Sequence, residues 1–184
     1  MKAVFLDRDN TIILDKGYTH KIEDLHFLPK AIDGLKILHE AGYALIIITN
    51  QSGIARGMYT EQQYQEFREN MHAKLLQQGI MIKDEFFCPH HPEKGIGEYK
   101  IDCDCRKPKP GMLEKAIEQQ SIDRKKSWTI GDKAADIEAG LAAGTRAIGI
   151  LSRESSREEL KAAGAEFVCN NLEESAQYIL EKDL

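Results

Sequence analysis

The first apolar run of the chain ends abruptly in two carboxylates spaced two residues apart. The run 3–6 is followed by Asp7, Asp9 and the hydroxyl of Thr11. This pattern predicts a buried strand with acids at its carboxyl end, which is the edge of an open α/β sheet where ligands bind. Asp is also common in turns that follow strands, because its side chain bonds nearby backbone, so the pair alone allows either interpretation.

Further apolar runs alternate with segments that carry helical signals. The other runs that we predict as strands are 44–48, 128–130, 147–151 and 167–168. Capping pairs stand before three predicted helices: Thr60 with Gln63, Ser156 with Glu159, and Asn171 with Glu174. Other helices are expected after Pro29, over 110–117 and over 133–143. The alternation predicts an α/β fold, a Rossmann-like parallel sheet with helices on both faces.

Composition and charge bound the possible functions. No internal repeat, low-complexity tract or linker divides residues 1–184, so one domain is expected. The net charge of -5 argues against a nucleic-acid partner, because phosphate contacts need a basic stripe. The sequence has no membrane-spanning apolar stretch and begins in a strand, not a signal peptide, so we expect a cytoplasmic protein without membrane contact. Since no heptad pattern calls for association, we expect a monomer.

Two more apolar runs end in groups suited to phosphoryl chemistry, namely Thr49 and Asp132. A carboxylate that attacks phosphorus needs a cation for the phosphate oxygens, fixed donors for the developing charge and a proton for the leaving oxygen. Asp7 and Asp132 are hard oxygen ligands suited to Mg²⁺. Thr49 and Lys107 can donate to phosphoryl oxygens, and Asp9 stands close enough in sequence to serve the leaving group.

Three of the four cysteines crowd one stretch together with histidine. Cys88-Pro89-His90 and Cys103-Asp104-Cys105 supply four ligands that suit a closed, structural Zn²⁺ site. Such crowding in a chain without an export signal favours metal over disulfides. The one-residue spacing is tighter than in ordinary zinc fingers, and His91 is an alternative ligand to His90. We therefore predict a zinc loop over about 88–105.

Two cations, Arg106 and Lys107, directly follow the last cysteine of this loop. The zinc thiolate cluster would itself be negatively charged and cannot attract a phosphate. Its predicted use is geometric, because a fixed loop holds both cations toward the Asp7 pocket without the entropy cost of ordering a long loop.

These residues together resemble the haloacid dehalogenase superfamily of phosphohydrolases. Four motifs carry the resemblance: Asp7-x-Asp9-x-Thr11, Thr49, Lys107, and Gly131-Asp132-x-x-x-Asp136. The resemblance implies that Asp7 is a nucleophile that forms an aspartyl-phosphate. It also implies that Asp9 is first a general acid and then the base that activates water, and that Asp136 orients metal-bound water or a lysine.

The same resemblance implies the other parts of the reaction centre. Thr49 and Lys107 would stabilise the phosphoryl group. Catalytic Mg²⁺ would be held by Asp7, the backbone carbonyl of Asp9 and Asp132.

A finer resemblance points to the heptose 1,7-bisphosphate 7-phosphatase family. It rests on Asp7-Arg8-Asp9-Asn10-Thr11, Asp15-x-Gly17-Tyr18, residues 49–57, Cys88-Pro89-His90-His91-Pro92 and residues 103–108. The resemblance implies a minimal cap with the zinc loop in place of a lid, and removal of the C7 phosphate of a sugar bisphosphate on the route to ADP-heptose and lipopolysaccharide. The histidinol-phosphate phosphatase family shares the acids and the zinc loop. Residues 49–57 and the Cys-Arg-Lys-Pro ending favour the heptose family, while the anomer stays open.

The heptose family also implies a set of substrate-binding residues. They are Asp15, Lys16, Gly17, Tyr18, Thr49, Asn50, Gln51, Ser52, Arg106, Lys107 and Lys133. Arg106 would recognise the distal part of the substrate, and a bisphosphate favours two cationic groupings. Arg56 and Lys109 are further candidates or solvated charges. Asn10 stands where the family usually has Gly, and Asn tolerates positive φ next best.

Two functions of other classes are weaker alternatives. A phospho-acceptor signalling domain would also receive phosphate on an aspartate, but it has no purpose for Asp9, since an acid beside an acyl phosphate promotes its hydrolysis. A zinc module that recognises nucleic acid is suggested by the cysteine loop alone and is opposed by the acidic charge balance.

Overall fold

The computed structural model describes residues 1–183, and within this range the chain forms one six-stranded sheet. The strands are β1 Ala3–Leu6, β2 Ala44–Asn50, β3 Ile82–Cys88, β4 Trp128–Gly131, β5 Arg146–Ile150 and β6 Phe167–Cys169. Every neighbouring pair is parallel, in the order β3-β2-β1-β4-β5-β6. The sheet confirms the predicted Rossmann-like α/β class.

Helices connect the strands and cover the sheet. They are α1 Ala31–Glu40, α2 Ser52–Ala55, α3 Glu61–Gln77, α4 Gly111–Gln120, α5 Ala134–Ala142, α6 Arg157–Ala162 and α7 Leu172–Lys182. The capping pairs predicted before α3, α6 and α7 are confirmed, since Thr60, Ser156 and Asn171 each accept a hydrogen bond from the backbone three residues later. Among residues 1–183, no helix combines the length and apolar character needed to cross a bilayer.

The alternating side chains of β1 divide the core into two layers. Leu6 faces the layer formed with α1, α3 and α7, which includes Leu35, Phe67 and Ile179. Phe5 faces the opposite layer, which includes Leu113 of α4 and Ala139 of α5. The predicted helices on both faces of the sheet are therefore confirmed.

The strand order places a topological switch between β1 and β4. The chain runs outward from β1 through β2 to β3, returns to β4 beside β1, and continues outward through β5 to β6. Crevices at the carboxyl ends of strands form at such a point. Asp7 follows β1 and Asp132 follows β4, so the two predicted acids lie on either side of this switch.

One strand is absent from the sequence prediction. The structure adds β3 at the sheet edge, paired with β2. Lys83 is exposed, Asp84 is half-buried and Glu85 is buried, so the strand lacks the apolar run of a central strand. Phe86 and Phe87 stand adjacent instead of alternating, which further hides the period of two. The prediction of five strands was therefore wrong by one edge strand.

Candidate active site

A cavity of about 440 Å³ opens at the carboxyl ends of the central strands. Its lining comprises Asp7, Asp9, Asp15, Gly17, Tyr18, Asn50, Gln51, Ser52, Arg56, Tyr59, Arg106, Lys107, Lys133, Ala135, Asp136 and Glu154. Most of the predicted site residues thus meet in one place, although the lining extends in sequence from Asp7 to Glu154. Asp7 is only 9% exposed and lies at the buried side of this cavity.

The ammonium of Lys107 joins two carboxylates. Its Nζ lies 2.7 Å from Asp7 Oδ1 and 2.6 Å from Asp136 Oδ1, and it donates to the carbonyl of Ile48 at 2.7 Å. Burial alone would lower the pKa of Lys107, but the charges of Asp136 and Asp7 outweigh it and raise that pKa. Burial raises the pKa of Asp7 well above its ordinary value, against the opposing effect of Lys107. Lys107 is therefore a permanent cation beside the predicted nucleophile.

Asp132 is a carboxylate buried at the end of β4. It is fully buried, and neither of its oxygens has a hydrogen-bond partner among the described residues. Burial, together with the nearby charge of Asp136, raises the pKa of Asp132 to about 7. A buried charge of this kind needs a cation. Ligand oxygens of Asp7, Asp132 and Asp136 lie within 4.8 Å of one another, which fits a hard divalent ion such as Mg²⁺.

The carboxylate of Asp9 is held by donors outside this acidic group. Its Oδ1 accepts from Arg8 Nε at 2.9 Å, and its Oδ2 accepts from Gln51 Nε2 at 3.1 Å. Gln51 also donates to Thr49 Oγ1 at 2.8 Å, and Tyr59 donates to Gln51 Oε1 at 2.5 Å. Burial raises the pKa of Asp9, while Arg8 acts in the opposite direction. Asp9 therefore stands in the cavity with both carboxylate oxygens held.

The turn after Asp9 contains Asn10. Asn10 adopts φ 59°, so the prediction that Asn fills a positive-φ position is confirmed. Its side-chain oxygen accepts from the backbone of Asp15 at 3.1 Å. The carboxylate of Asp15 in turn accepts from the backbone of Gly17 at 3.1 Å and of Thr19 at 3.0 Å. These bonds fold the segment so that Tyr18 lines the cavity.

The predicted zinc ligands come together. The Sγ atoms of Cys103 and Cys105 are 2.9 Å apart, and those of Cys88 and Cys105 are 3.0 Å apart. His90 Nδ1 lies 3.5 Å from Cys105 Sγ, and one atom from each residue lies within 4.8 Å of the others. His91 uses its Nδ1 to accept two backbone N–H groups of the following turn, so it is His90 that joins the cysteines. Three thiols and one imidazole suit Zn²⁺.

The zinc loop is tied to the cavity through its neighbouring cations. Arg106 donates from Nη1 to the carbonyl of His90 at 3.1 Å. Asn50 accepts from the backbone N–H of Lys107 and donates to its carbonyl, each at 3.1 Å. Lys109 instead lies on the surface, with its Nζ 2.7 Å from Asp102. Of the two further candidates, Arg56 lines the cavity and Lys109 is absent from the lining among the described residues.

A few predicted residues lie outside the cavity wall. Among the described residues, the lining omits Lys16, whose Nζ is 3.6 Å from Asp24, and it also omits Thr49 and Asp132, which are both fully buried. Lys133 lines the cavity and pairs with Glu154 at 2.6 Å. Sequence reasoning missed Tyr59, Ala135 and Glu154. Tyr59 directly follows the recognised stretch 49–57, but no motif marks Glu154.

Comparisons with known proteins agree with this geometry. The family model described as HAD-hydrolase-like matches residues 104–175. The chain is 49% identical over 142 residues to D-glycero-beta-D-manno-heptose-1,7-bisphosphate 7-phosphatase of Haemophilus influenzae, covering 77% of each chain. It is 49% identical over 144 residues to the D-glycero-alpha-D-manno-heptose-1,7-bisphosphate 7-phosphatase of Photorhabdus laumondii, covering 78% of this chain and 79% of that one.

A solved structure resembles the whole fold. The D,D-heptose 1,7-bisphosphate phosphatase from B. bronchiseptica, complexed with magnesium and phosphate, superposes with a TM-score of 0.84. It is 28% identical in sequence, and the match covers 99% of both chains.

Proposed function

The chain belongs to the haloacid-dehalogenase-like family of heptose-1,7-bisphosphate 7-phosphatases, and we propose that it hydrolyses the C7 phosphate of D-glycero-D-manno-heptose 1,7-bisphosphate. The product is the 1-phosphate, a precursor of ADP-heptose for lipopolysaccharide. The observation that carries the proposal is the pairing of Asp7 with Lys107 inside a cavity whose rim holds further cations.

The charges of the cavity fit a substrate with two phosphates. Lys107 serves the phosphate beside Asp7, and the charge of Lys133 acts on Asp7 and Asp132 from the same side, while Arg56 and Arg106 also line the wall. The Nε of Arg56 is buried and has no partner among the described residues, so its guanidinium has free donor capacity. Guanidinium groups bind phosphate oxygens in a bidentate manner. Two separate cationic groupings match the two ends of a sugar bisphosphate.

The reaction runs through a covalent intermediate on Asp7. A carboxylate oxygen of Asp7 forms a bond to phosphorus while the bond from phosphorus to the C7 oxygen breaks, and that oxygen takes a proton from Asp9. Water then attacks the aspartyl-phosphate and gives a proton to Asp9, and the bond between phosphorus and Asp7 breaks to release phosphate. Lys107 stabilises the charge on the phosphoryl oxygens throughout.

Mg²⁺ fits the acidic group beside the nucleophile. Asp7 and Asp132 would hold it together with the Asp9 carbonyl, and Asp136 anchors Lys107 at the same edge. When bound, the ion neutralises phosphate oxygens. The buried carboxylate of Asp132, which has no hydrogen-bond partner within residues 1–183, is the feature that supports this assignment.

Zn²⁺ fits Cys88, His90, Cys103 and Cys105, with a structural role. The bond from Arg106 to the carbonyl of His90 joins this site directly to the substrate wall. Ordering the loop in advance lowers the entropy cost of substrate binding.

A phosphatase assay with three substrates tests the proposed function. Phosphate release is measured with Mg²⁺ on both anomers of the heptose bisphosphate and on histidinol phosphate, and we expect a larger kcat/KM for a bisphosphate. Histidinol phosphate carries an ammonium group that the cations Arg56, Arg106 and Lys133 disfavour. Arg106→Met should raise KM for the bisphosphate more than for a sugar monophosphate. A larger kcat/KM for histidinol phosphate would overturn the proposal.

A further inference from the structure

Arg8 is a fully buried cation directly behind the proposed proton donor. Its side chain is 1% exposed, and Arg8 is not among the residues that line the cavity within 1–183. Both Nε and Nη2 approach the same oxygen of Asp9, Oδ1, at 2.9 Å and 2.8 Å. Nη2 also donates to the carbonyl of Thr19 at 2.9 Å. Arg8 therefore joins Asp9 to the segment that carries Tyr18 into the cavity.

The opposite side of the guanidinium is equally well defined. Its Cζ lies 4.9 Å from the ring centroid of Phe67 and 5.8 Å from that of Tyr64. Beyond the rings, the buried carboxylate of Glu85 accepts from Tyr64 and lies 2.6 Å from His72 Nε2. The guanidinium is thus packed against two rings and set between two carboxylates, while its Nη1 is buried without a hydrogen-bond partner among the described residues.

Stability alone is a weak reason for this arrangement. A buried ion pair contributes little net stability compared with apolar residues of similar volume, because both charges lose their hydration. The ion pair fixes the orientation of the Asp9 carboxylate. Nε donates to Oδ1, the charged Nη2 lies 2.8 Å from the same oxygen, and Gln51 donates to Oδ2, so these contacts restrict the rotation of the carboxylate.

We infer that Arg8 is a positioning residue that holds the Asp9 carboxylate where it exchanges protons with the C7 oxygen and with water. The inference rests on the proposed function, in which Asp9 performs both transfers. Arg8 acts only through Asp9, so only the steps that move a proton should depend on it. A misplacement of about 1 Å in such a group costs about 100-fold in rate.

The experiment compares two phosphate esters that differ in their need for a proton. The C7 oxygen of the sugar must be protonated as it leaves, whereas nitrophenolate leaves without a proton. For Arg8→Met we expect kcat on the heptose bisphosphate to fall about 100-fold with KM unchanged. The first-turnover release of nitrophenolate from nitrophenyl phosphate should keep the wild-type rate, and the phosphoenzyme should then accumulate because its hydrolysis also needs Asp9.

Arg146→Met is the matched control. Arg146 also stacks on a ring, with its Cζ 3.7 Å from the centroid of Trp128, but it does not line the cavity within residues 1–183. Arg146→Met should change the unfolding midpoint but should not lower kcat on the heptose bisphosphate relative to the release of nitrophenolate. Arg8→Lys keeps the charge with a single donor group, so its kcat on the heptose bisphosphate should fall less than that of Arg8→Met, again without a change in nitrophenolate release. If Arg8→Met does not fold, the Arg8→Lys variant tests the positioning role of Arg8.

Equal losses on both esters in the Arg8 variants, or no loss beyond that of Arg146→Met, would overturn the inference. The Asp9→Asn variant distinguishes failure of the inference about Arg8 from failure of the proposed function. If Asp9→Asn hydrolyses the heptose bisphosphate at the wild-type rate, Asp9 is not the proton donor, so the inference about Arg8 fails while the proposed substrate stands. If the wild-type enzyme hydrolyses nitrophenyl phosphate but not the heptose bisphosphate, the proposed function fails. If Asp9→Asn is inactive while Arg8→Met is normal, only the inference about Arg8 fails.

Discussion

Asp132→Asn should change how the stability of the metal-free protein depends on pH. The wild-type carboxylate is buried with no partner among the described residues, and burial raises its pKa from the ordinary 3.8 to about 7. The folded state therefore binds this proton more tightly than the unfolded chain does. By linkage, the free energy of unfolding falls as the pH rises from about 4 to about 7.

The size of the change in unfolding free energy follows from the shift in the pKa of Asp132. About three pKa units correspond to roughly 4 kcal/mol, and roughly 3 kcal/mol of this develops between pH 5 and pH 8. Asn carries no charge at either pH, so it lacks this contribution. The difference in unfolding free energy, Asp132→Asn minus wild type, should therefore rise by roughly 3 kcal/mol over that range.

Urea unfolding in the presence of EDTA measures this difference at the two pH values. Asp33→Asn is the control for the loss of one carboxylate, because Asp33 is exposed on α1, where its side chain pairs with Lys30. Mg²⁺ at 100 times its Kd should add about 2.7 kcal/mol to the wild type and much less to Asp132→Asn. A pH-independent difference, together with an equal Mg²⁺ effect in both proteins, would refute the reasoning.

Three further predictions concern other parts of the site. Gly131→Ala should cost about 1–3 kcal/mol in urea unfolding and impair phosphatase activity, because a Cβ there would overlap the carboxyl of Asp136 that holds Lys107; wild-type activity would contradict it. Cys103→Ser should lower zinc content, measured by atomic absorption, and reduce kcat/KM for the bisphosphate, and unchanged zinc would refute the ligand set. The pKa of Glu85 is lowered, because its hydrogen bonds to His72 and Tyr64 outweigh the opposite effect of burial. The wild-type free energy of unfolding should therefore fall as the pH drops below about 4.5, and this fall should be smaller in Glu85→Gln when urea unfolding is measured over that range. An equally steep fall in both proteins would contradict this role.

The sequence predicts the acidic part of the site because parallel strands bring their carboxyl ends to one edge. Asp7 and Asp132 each follow an apolar run, and the structure places both at the switch between β1 and β4. The position of Lys107 is not local in this sense, since it reaches Asp7 from a loop a hundred residues away. The sequence suggested it only indirectly, because Lys107 directly follows the last cysteine of the predicted zinc loop, and the resemblance to a known family supported the same role.

The buried charged residues were not predicted, because a charged residue in a sequence usually indicates an exposed position. Glu85 lies in a strand that looks polar, yet its side chain is fully buried and bonded to Tyr64 and His72. Arg8 is likewise buried, although it stands between two acids in a segment expected to face solvent or ligand. Burial of these charges depends on partners contributed by β3 and α3, which no local pattern reveals.

The central claim is that Asp7 carries the phosphoryl group during turnover. Rapid acid quenching of the enzyme with heptose bisphosphate labelled in the C7 phosphate, followed by peptide mapping, tests it directly. The account predicts label on the peptide that contains Asp7, its loss in Asp7→Asn, and its accumulation in Asp9→Asn when an aryl phosphate is the donor. Turnover at the wild-type rate by Asp7→Asn, or label on another residue, would contradict the account.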